Sequence, residues 1–382
     1  MASCVSPGWI VALSMLFAAS SFGQQRVTPA NSKGGTPLNE KWQGVPTEFR
    51  ESLKLPEWPL PTNLPQWEKD RVEVRKTLVK LLGALPPRPD PTKVKVVSRE
   101  DRGDFVLEKI EFHNGADAIV PGYVMFPKSP AGAPPAQRPC IMLLHEHGGS
   151  KDSVCLNVAA RDHAGTQLVQ HGYIVAAIDG YFHGERIGKG PAGAIEDKAA
   201  QEMSFSKINL WLGRTLWGMQ VRDEQCLLDY LGTRSEIDQS KIGASGMSMG
   251  STRSWWLAAI DDRIKAIVGV VCFTRYTELI SHGYLRAHGI YYFVPGMLQH
   301  FDTEAIHALV APRPHLELSG DQDPGTPLDG LETLERKVGQ VYRLYGKPEN
   351  FNSIVYAKTG HEYLPDMRDR MIAWFEQHLP VK

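Results

Sequence analysis

From about residue 140 onward, short apolar runs that end in polar or glycine-rich segments alternate with stretches long enough to be helices. No other feature restricts the possible folds as strongly. The runs at 140–144, 173–178, 242–244, 266–273, 315–318 and 353–357 read as strands, and 159–171, 216–231, 249–260, 328–345 and 366–378 read as helices. Apolar strands separated by helices imply an α/β fold, with a mainly parallel sheet covered by helices on both faces. In such sheets chemistry gathers at the carboxyl ends of the strands. Upstream, 94–99, 105–113 and 119–126 are alternating or β-branched runs separated by turn signals, and they predict an antiparallel edge. A helix is expected over about 66–85, with Val72, Leu78, Leu81 and Leu82 on one face and a stop at Pro86-Pro87.

The first 23 residues hold no Asp, Glu, Lys or Arg, and 9–19 is an apolar run broken only by Ser14. Eleven residues are too few to span a bilayer, which takes about 18 to 20, but they fit a secretory leader. Ser21 and Gly23 would stand at the −3 and −1 positions of a cleavage before Gln24. The expectation is a leader at 1–23, an extended arm and helix at 24–90 and a catalytic domain at 91–382, in a secreted or periplasmic protein without a membrane span. Cys140, Cys155, Cys226 and Cys272 form no C-x-x-C pair, and Cys140, Cys226 and Cys272, inside apolar runs, read as core residues rather than disulfide partners. With 42 Lys+Arg against 43 Asp+Glu, no basic face for nucleic acid is expected.

The segment Lys241-Ile242-Gly243-Ala244-Ser245 reads as a strand, and Gly246-Met247-Ser248-Met249-Gly250 leads from it into a helix. A G-x-S-x-G between strand and helix forces a sharp turn that leaves the serine hydroxyl exposed, and its glycines avoid clashes that a Cβ would make. Ser248 is the candidate nucleophile. A serine needs a histidine base, and the base needs an acid to hold its tautomer. The loop after 315–318 carries Asp321 and Asp323, and the loop after 353–357 carries His361. That is the chain order this arrangement requires. Two backbone donors should face the developing oxyanion: Met249 N–H, and one from the loop His145-Glu146-His147-Gly148-Gly149, assigned to His147 with Gly148 next to it. His145, Glu146 and His147 are ligand types, yet their spacing is not H-E-x-x-H, so no metal and no cofactor is expected.

The elbow at 246–250, the 145–149 loop, the order Ser248, Asp323, His361 and the strand–helix alternation together resemble the α/β-hydrolase superfamily over about 119–379. Within it, Leu144-His145-Glu146 before a glycine loop is similar to dienelactone hydrolases. The helix 217–231, with Val221-Arg222-Asp223 and Leu228-Asp229-Tyr230-Leu231, is similar to acetyl xylan esterases. Dienelactone hydrolases proper use a cysteine nucleophile where Ser248 stands here. The superfamily often places its acid in a G-x-x-D-x-x-x-P loop, and Gly320, Asp323 and Pro327 fit it, so the resemblance favours Asp323 over Asp321.

The stretch 274–301 interrupts the strand–helix rhythm and is rich in Tyr, Phe and His, which suggests a cap-like insertion beside Ser248. His145, Glu146, Arg214 and Tyr276 are expected to contact substrate; Arg186, Arg214 and Arg253 could hold an anionic group but read first as surface or ion-pair arginines. The expected activity is cleavage of a small-molecule or carbohydrate ester with a short acyl group. A prolyl-oligopeptidase-like peptidase, a lactone hydrolase and a non-catalytic binding module are the alternatives.

Overall fold

The computed structural model describes residues 55–128 and 137–382, together with 25–27, 46 and 48. The leader expected at 1–23 and most of the arm lie outside the described residues. The strands are β1 (Gln25–Val27), β2 (Lys95–Asp101), β3 (Phe105–His113), β4 (Ile119–Pro127), β5 (Arg138–Leu144), β6 (Ile174–Ile178), β7 (Ile237–Met247), β8 (Ile264–Val270), β9 (His315–Gly320) and β10 (Phe351–Tyr356). They form one sheet in the order β1-β10-β9-β8-β7-β5-β6-β4-β3-β2. Pairing is parallel from β1 to β6 across that order and antiparallel among β6, β4, β3 and β2, the edge foreseen in the sequence. β1 extends the far edge, Gln25–Val27 running alongside Ile354–Tyr356.

The sheet divides two cores. On β5, Cys140, Met142 and Leu144 face one and Ile141 and Leu143 the other, as the strand period of two demands. The helices are α1 (Leu64–Leu82), α2 (Lys151–Cys155), α3 (Gly165–Gln170), α4 (Lys198–Trp211), α5 (Leu216–Leu231), α6 (Met249–Ile260), α7 (Tyr276–Ser281), α8 (Thr303–Ala308), α9 (Leu328–Leu344) and α10 (Pro365–His378). Helices α1, α5, α6 and α9 cover the first core, and α2, α3 and α10 the second.

The structure corrects the sequence reading in four places. In α1 the buried face is Trp67, Val74, Leu78 and Leu82, whereas Val72 is exposed. Its start is fixed by Asn63, whose side chain accepts from Gln66 N–H at 2.9 Å, and by Pro65 in the first turn. The helix expected at 159–171 is confined to α3, because Ser150 and Ser153 form a capping box that starts a separate helix, α2, and the chain then turns. The strand expected to reach Phe273 stops at Val270, where Val271 and Cys272 take positive φ of 56° and 60° and Cys272 N–H turns to Thr326 Oγ1. Helix α4 was not expected at all.

Candidate functional site

β7 ends in the elbow. Ser248 has φ 56° and ψ −118°, a conformation rare for a residue with a Cβ, and it caps α6. The backbones meet closely around it. A Cβ on Gly250 would lie 1.9 Å from Leu144 O, and one on Gly246 would lie 2.3 Å from the same oxygen. Both glycines of G-x-S-x-G are therefore required by the contact of the elbow with the end of β5. Among the described residues the hydrogen-bond contact of the Ser248 hydroxyl is the Cys272 thiol, 4.0 Å away. Serine–histidine bonds often tighten only when substrate binds.

The loops after β9 and β10 are stitched together by Asp321 N–H to Tyr356 O at 3.0 Å and Gln322 N–H to Thr359 O at 2.8 Å. Gly320 permits this, since a Cβ there would lie 2.2 Å from Thr359 O. The result brings His361 Nδ1 to 2.9 Å from Asp323 Oδ2. Asp323 is buried, and its Oδ1 accepts from Gly325 N–H at 2.8 Å. Asp321 makes no bond to His361 among the described residues. Burial of His361 disfavours its charged form, but the hydrogen bond and charge of Asp323 outweigh it and hold the imidazole above its ordinary value.

Of the loop amides after β5, Glu146 N–H goes to Asp162 Oδ2 and Gly149 N–H to Glu146 O. His147 N–H and Gly148 N–H have no acceptor among the described residues.

The residues considered for substrate contact have protein partners of their own, and the ion-pair reading of Arg186 and Arg253 is the one the structure shows. His145 is fully buried, with Nδ1 donating to Glu146 O at 2.7 Å and Nε2 accepting from Gly180 N–H at 2.9 Å, so both ring nitrogens are engaged by the backbone. Burial holds its ring well below the usual histidine range. Arg186 pairs with Asp223 at 2.9 Å and Arg253 with Glu224 at 2.8 Å, all four buried. Arg222 in the same helix donates to Pro86 O and Pro87 O, so the Val221-Arg222-Asp223 motif ties α5 to its surroundings. Glu146 is held by Arg161 through both carboxylate oxygens. Arg214 donates to Asn209 Oδ1 at 2.7 Å and lines a separate pocket of about 370 Å³ with Lys80 and His300. Tyr276 is half-buried, its ring 5.0 Å from that of Tyr292. The insertion does reach the site: Tyr291 stacks on His147 at 4.7 Å, and the charges of His361 and Asp323 act on His288.

Sequence reasoning missed Lys198 and Glu202 on α4. Lys198 Nζ donates to His147 O, and Glu202 meets His147 Nε2 at 2.9 Å. Among the described residues two groups have metal-ligand types close together, His147, His183 and Glu202, and His307, His315 and Glu317. In the first, His147 Nε2 meets Glu202 and both His183 nitrogens meet backbone carbonyls. The second is buried in the core.

Residues 52–374 match the Abhydrolase family. The chain belongs to this family. It is thus a hydrolase of the α/β-hydrolase fold, resembling acetyl xylan esterases as the sequence suggested. The family match starts twelve residues before α1, consistent with that helix packing into the common core. The provisionally named hydrolase YtaP of Bacillus subtilis (strain 168) is 34% identical over 315 residues, covering 81% of this chain and 100% of the relative. Among solved structures, a provisionally named acetyl xylan esterase of Bacteroides fragilis NCTC 9343 superposes with a TM-score of 0.65 at 20% identity, covering 91% of this chain and 95% of the other. A glucuronoyl esterase from Solibacter usitatus gives 0.63 at 18% identity, covering 85% and 99%. At these identities the structural likeness is one of fold. Among the described residues no helix is long and apolar enough to cross a membrane.

Proposed function

We propose that this family member is an exported serine hydrolase that cleaves carboxylic esters carrying short acyl groups, on aryl or carbohydrate alcohols. The observation that carries this reading is the contact of His361 Nδ1 with buried Asp323 at 2.9 Å, on the loop that follows the strained Ser248 elbow in chain order. Ser248 Oγ attacks the ester carbonyl while His361 Nε2 accepts its proton. Asp323 keeps the other ring hydrogen on Nδ1 and stabilises the imidazolium. Met249 N–H and an amide of the 147–148 pair receive the oxyanion. His361 then protonates the leaving alkoxide, and a water activated by the same ring frees the acid from the acyl-enzyme.

The named activity of the acetyl xylan esterase neighbour favours a carbohydrate alcohol. For export, the apolar leader-like run supports cleavage before Gln24, and strand β1 begins one residue later.

The test compares kcat/KM on 4-nitrophenyl acetate, an acetylated xylo-oligosaccharide and a proline-containing peptide anilide. Esters should turn over at least about 10³ faster than the anilide, a gap of roughly 4 kcal/mol in barrier. Faster cleavage of the anilide than of both esters would replace this reading with the peptidase one. Ser248→Ala should abolish labelling by a fluorophosphonate and lower kcat by roughly 10⁵ to 10⁶.

A further inference from the structure

The loop that supplies the second oxyanion donor is gripped by a helix outside the triad. Lys198, in the first turn of α4, places Nζ on His147 O. His183 Nε2 lies 2.7 Å from the same oxygen. One turn further along α4, Glu202 holds the His147 ring through Nε2 at 2.9 and 3.0 Å, and Tyr291 stacks against the ring at 4.7 Å with planes 19° apart.

The carbonyl contact has a directional consequence. In a trans peptide the C=O and the following N–H point to opposite sides. Fixing His147 O on Lys198 therefore fixes Gly148 N–H on the other side of the same plane. A Cβ on Gly148 would meet nothing within 4 Å, so this peptide borders open space. His183 alone does not secure the carbonyl. Its Nδ1 also lies 2.7 Å from Tyr181 O, and a neutral ring has one hydrogen to give. Lys198 has three.

We infer that Lys198 is a positioning residue for the oxyanion donor, and that α4 acts as a clamp setting the 147–148 peptide for the tetrahedral intermediate. This rests on the Ser248 reading proposed above. The donor is the Gly148 amide, the neighbour of the one the sequence favoured. The clamp serves the transition state alone, since a ground-state carbonyl makes weaker demands on the donor's direction than the oxyanion does.

The experiment uses the full-length enzyme with Lys198→Met, Lys198→Arg and Ser248→Ala. Losing a donor outright typically costs about 10² to 10³ in kcat, and His183 can partly replace Lys198, so Lys198→Met should lower kcat by about 10- to 100-fold with KM changed by less than about threefold. Affinity for an alkyl trifluoromethyl ketone, which forms the oxyanion on Ser248, should fall by the same factor as kcat/KM. Affinity for the non-reactive alcohol product should not change. Lys198→Arg keeps a charged donor and should retain kcat within about threefold. If the Met variant does not fold, as judged by its thermal transition, Lys198→Gln takes its place. A kcat within about twofold of the parent, a loss confined to KM, or equal losses for ketone and product overturns the inference. Ser248→Ala separates the two claims: if it is inactive while Lys198→Met is unimpaired, the clamp fails and the triad reading stands. If it is active, both fail.

Discussion

Replacing Asp323 by Asn tests the acid–base assignment at a single atom. Asp323 Oδ1 accepts from Gly325 N–H at 2.8 Å, and Oδ2 faces His361 Nδ1 at 2.9 Å. An asparagine must keep its carbonyl oxygen toward Gly325 N–H, because its NH₂ group there would oppose another donor. The NH₂ then faces His361 and can only be accepted by Nδ1. The ring hydrogen moves to Nε2, the nitrogen proposed to accept the Ser248 proton. Shape and volume are preserved while the tautomer is reversed, and kcat should fall by on the order of 10⁴, about 5 kcal/mol of barrier. Asp321→Asn should change kcat by less than about tenfold, since Asp321 makes no bond to His361 among the described residues. Steady-state kinetics on 4-nitrophenyl acetate, with circular dichroism to establish that both variants fold, decide the matter. Equal losses in the two variants, or a larger one at Asp321, would refute the assignment.

Asp323 holds His361 above the ordinary histidine value of 6.5, and the base must be neutral to act, so activity should be lost as pH falls through a midpoint above 6.5. A kcat/KM profile with its acid limb below 6 contradicts this. Burial pushes the His288 ring down to about 4, so its neutral form adds stability that is complete above 6.5 and lost as pH falls toward 4. The drop in Tm between pH 7.5 and 4.5 should accordingly be smaller in His288→Gln than in the parent, and an equal drop removes His288 from the account. Arg253 donates to both Glu224 and His145 O, and Arg253→Met strands a buried carboxylate, which should cost about 3 to 5 kcal/mol in urea denaturation. Mass spectrometry of the protein from a secreting host should find an amino terminus near Gln24, and an intact Met1 or Ala2 would refute export by cleavage.

How much of this was legible in the sequence depended on whether burial and hydropathy agreed. They agree in β5, apolar on both faces because both are covered, while α5 and α6 keep the limits Leu216–Leu231 and Met249–Ile260 although they also bury Arg222, Asp223, Glu224 and Arg253. The elbow was legible for a stronger reason: Gly246 and Gly250 are demanded by backbone contact, so the motif is itself a statement about geometry. The choice of Asp323 came from a family resemblance. Nothing in the bare spacing separates it from Asp321, since which of two loop carboxylates turns toward His361 depends on the turn closed by Gly325 N–H and Thr326 N–H.

Helix α4 shows where such reading stops. Its buried residues are Gln201, Glu202, Phe205, Ser206 and Asn209, while Met203, Leu210 and Trp211 face solvent. The helical period is present, but carried by polar residues, so a search for an apolar stripe passes over it. Asp197, which accepts from Ala200 N–H at 2.9 Å, was the one local sign of a helix start. The inversion has a physical reason. Lys198 and Glu202 on α4 meet His147, Gln201 accepts from Gly188 and Gly190 N–H, and Asn209 accepts from Arg214, groups that only polar side chains can satisfy away from water. Glu202 would be costly to bury without the His147 ring, and Lys198 without His147 O. A helix that buries its polar face is thus evidence of a polar structure beneath it. Here that structure includes the loop at the carboxyl end of β5, which Lys198 and Glu202 hold through His147.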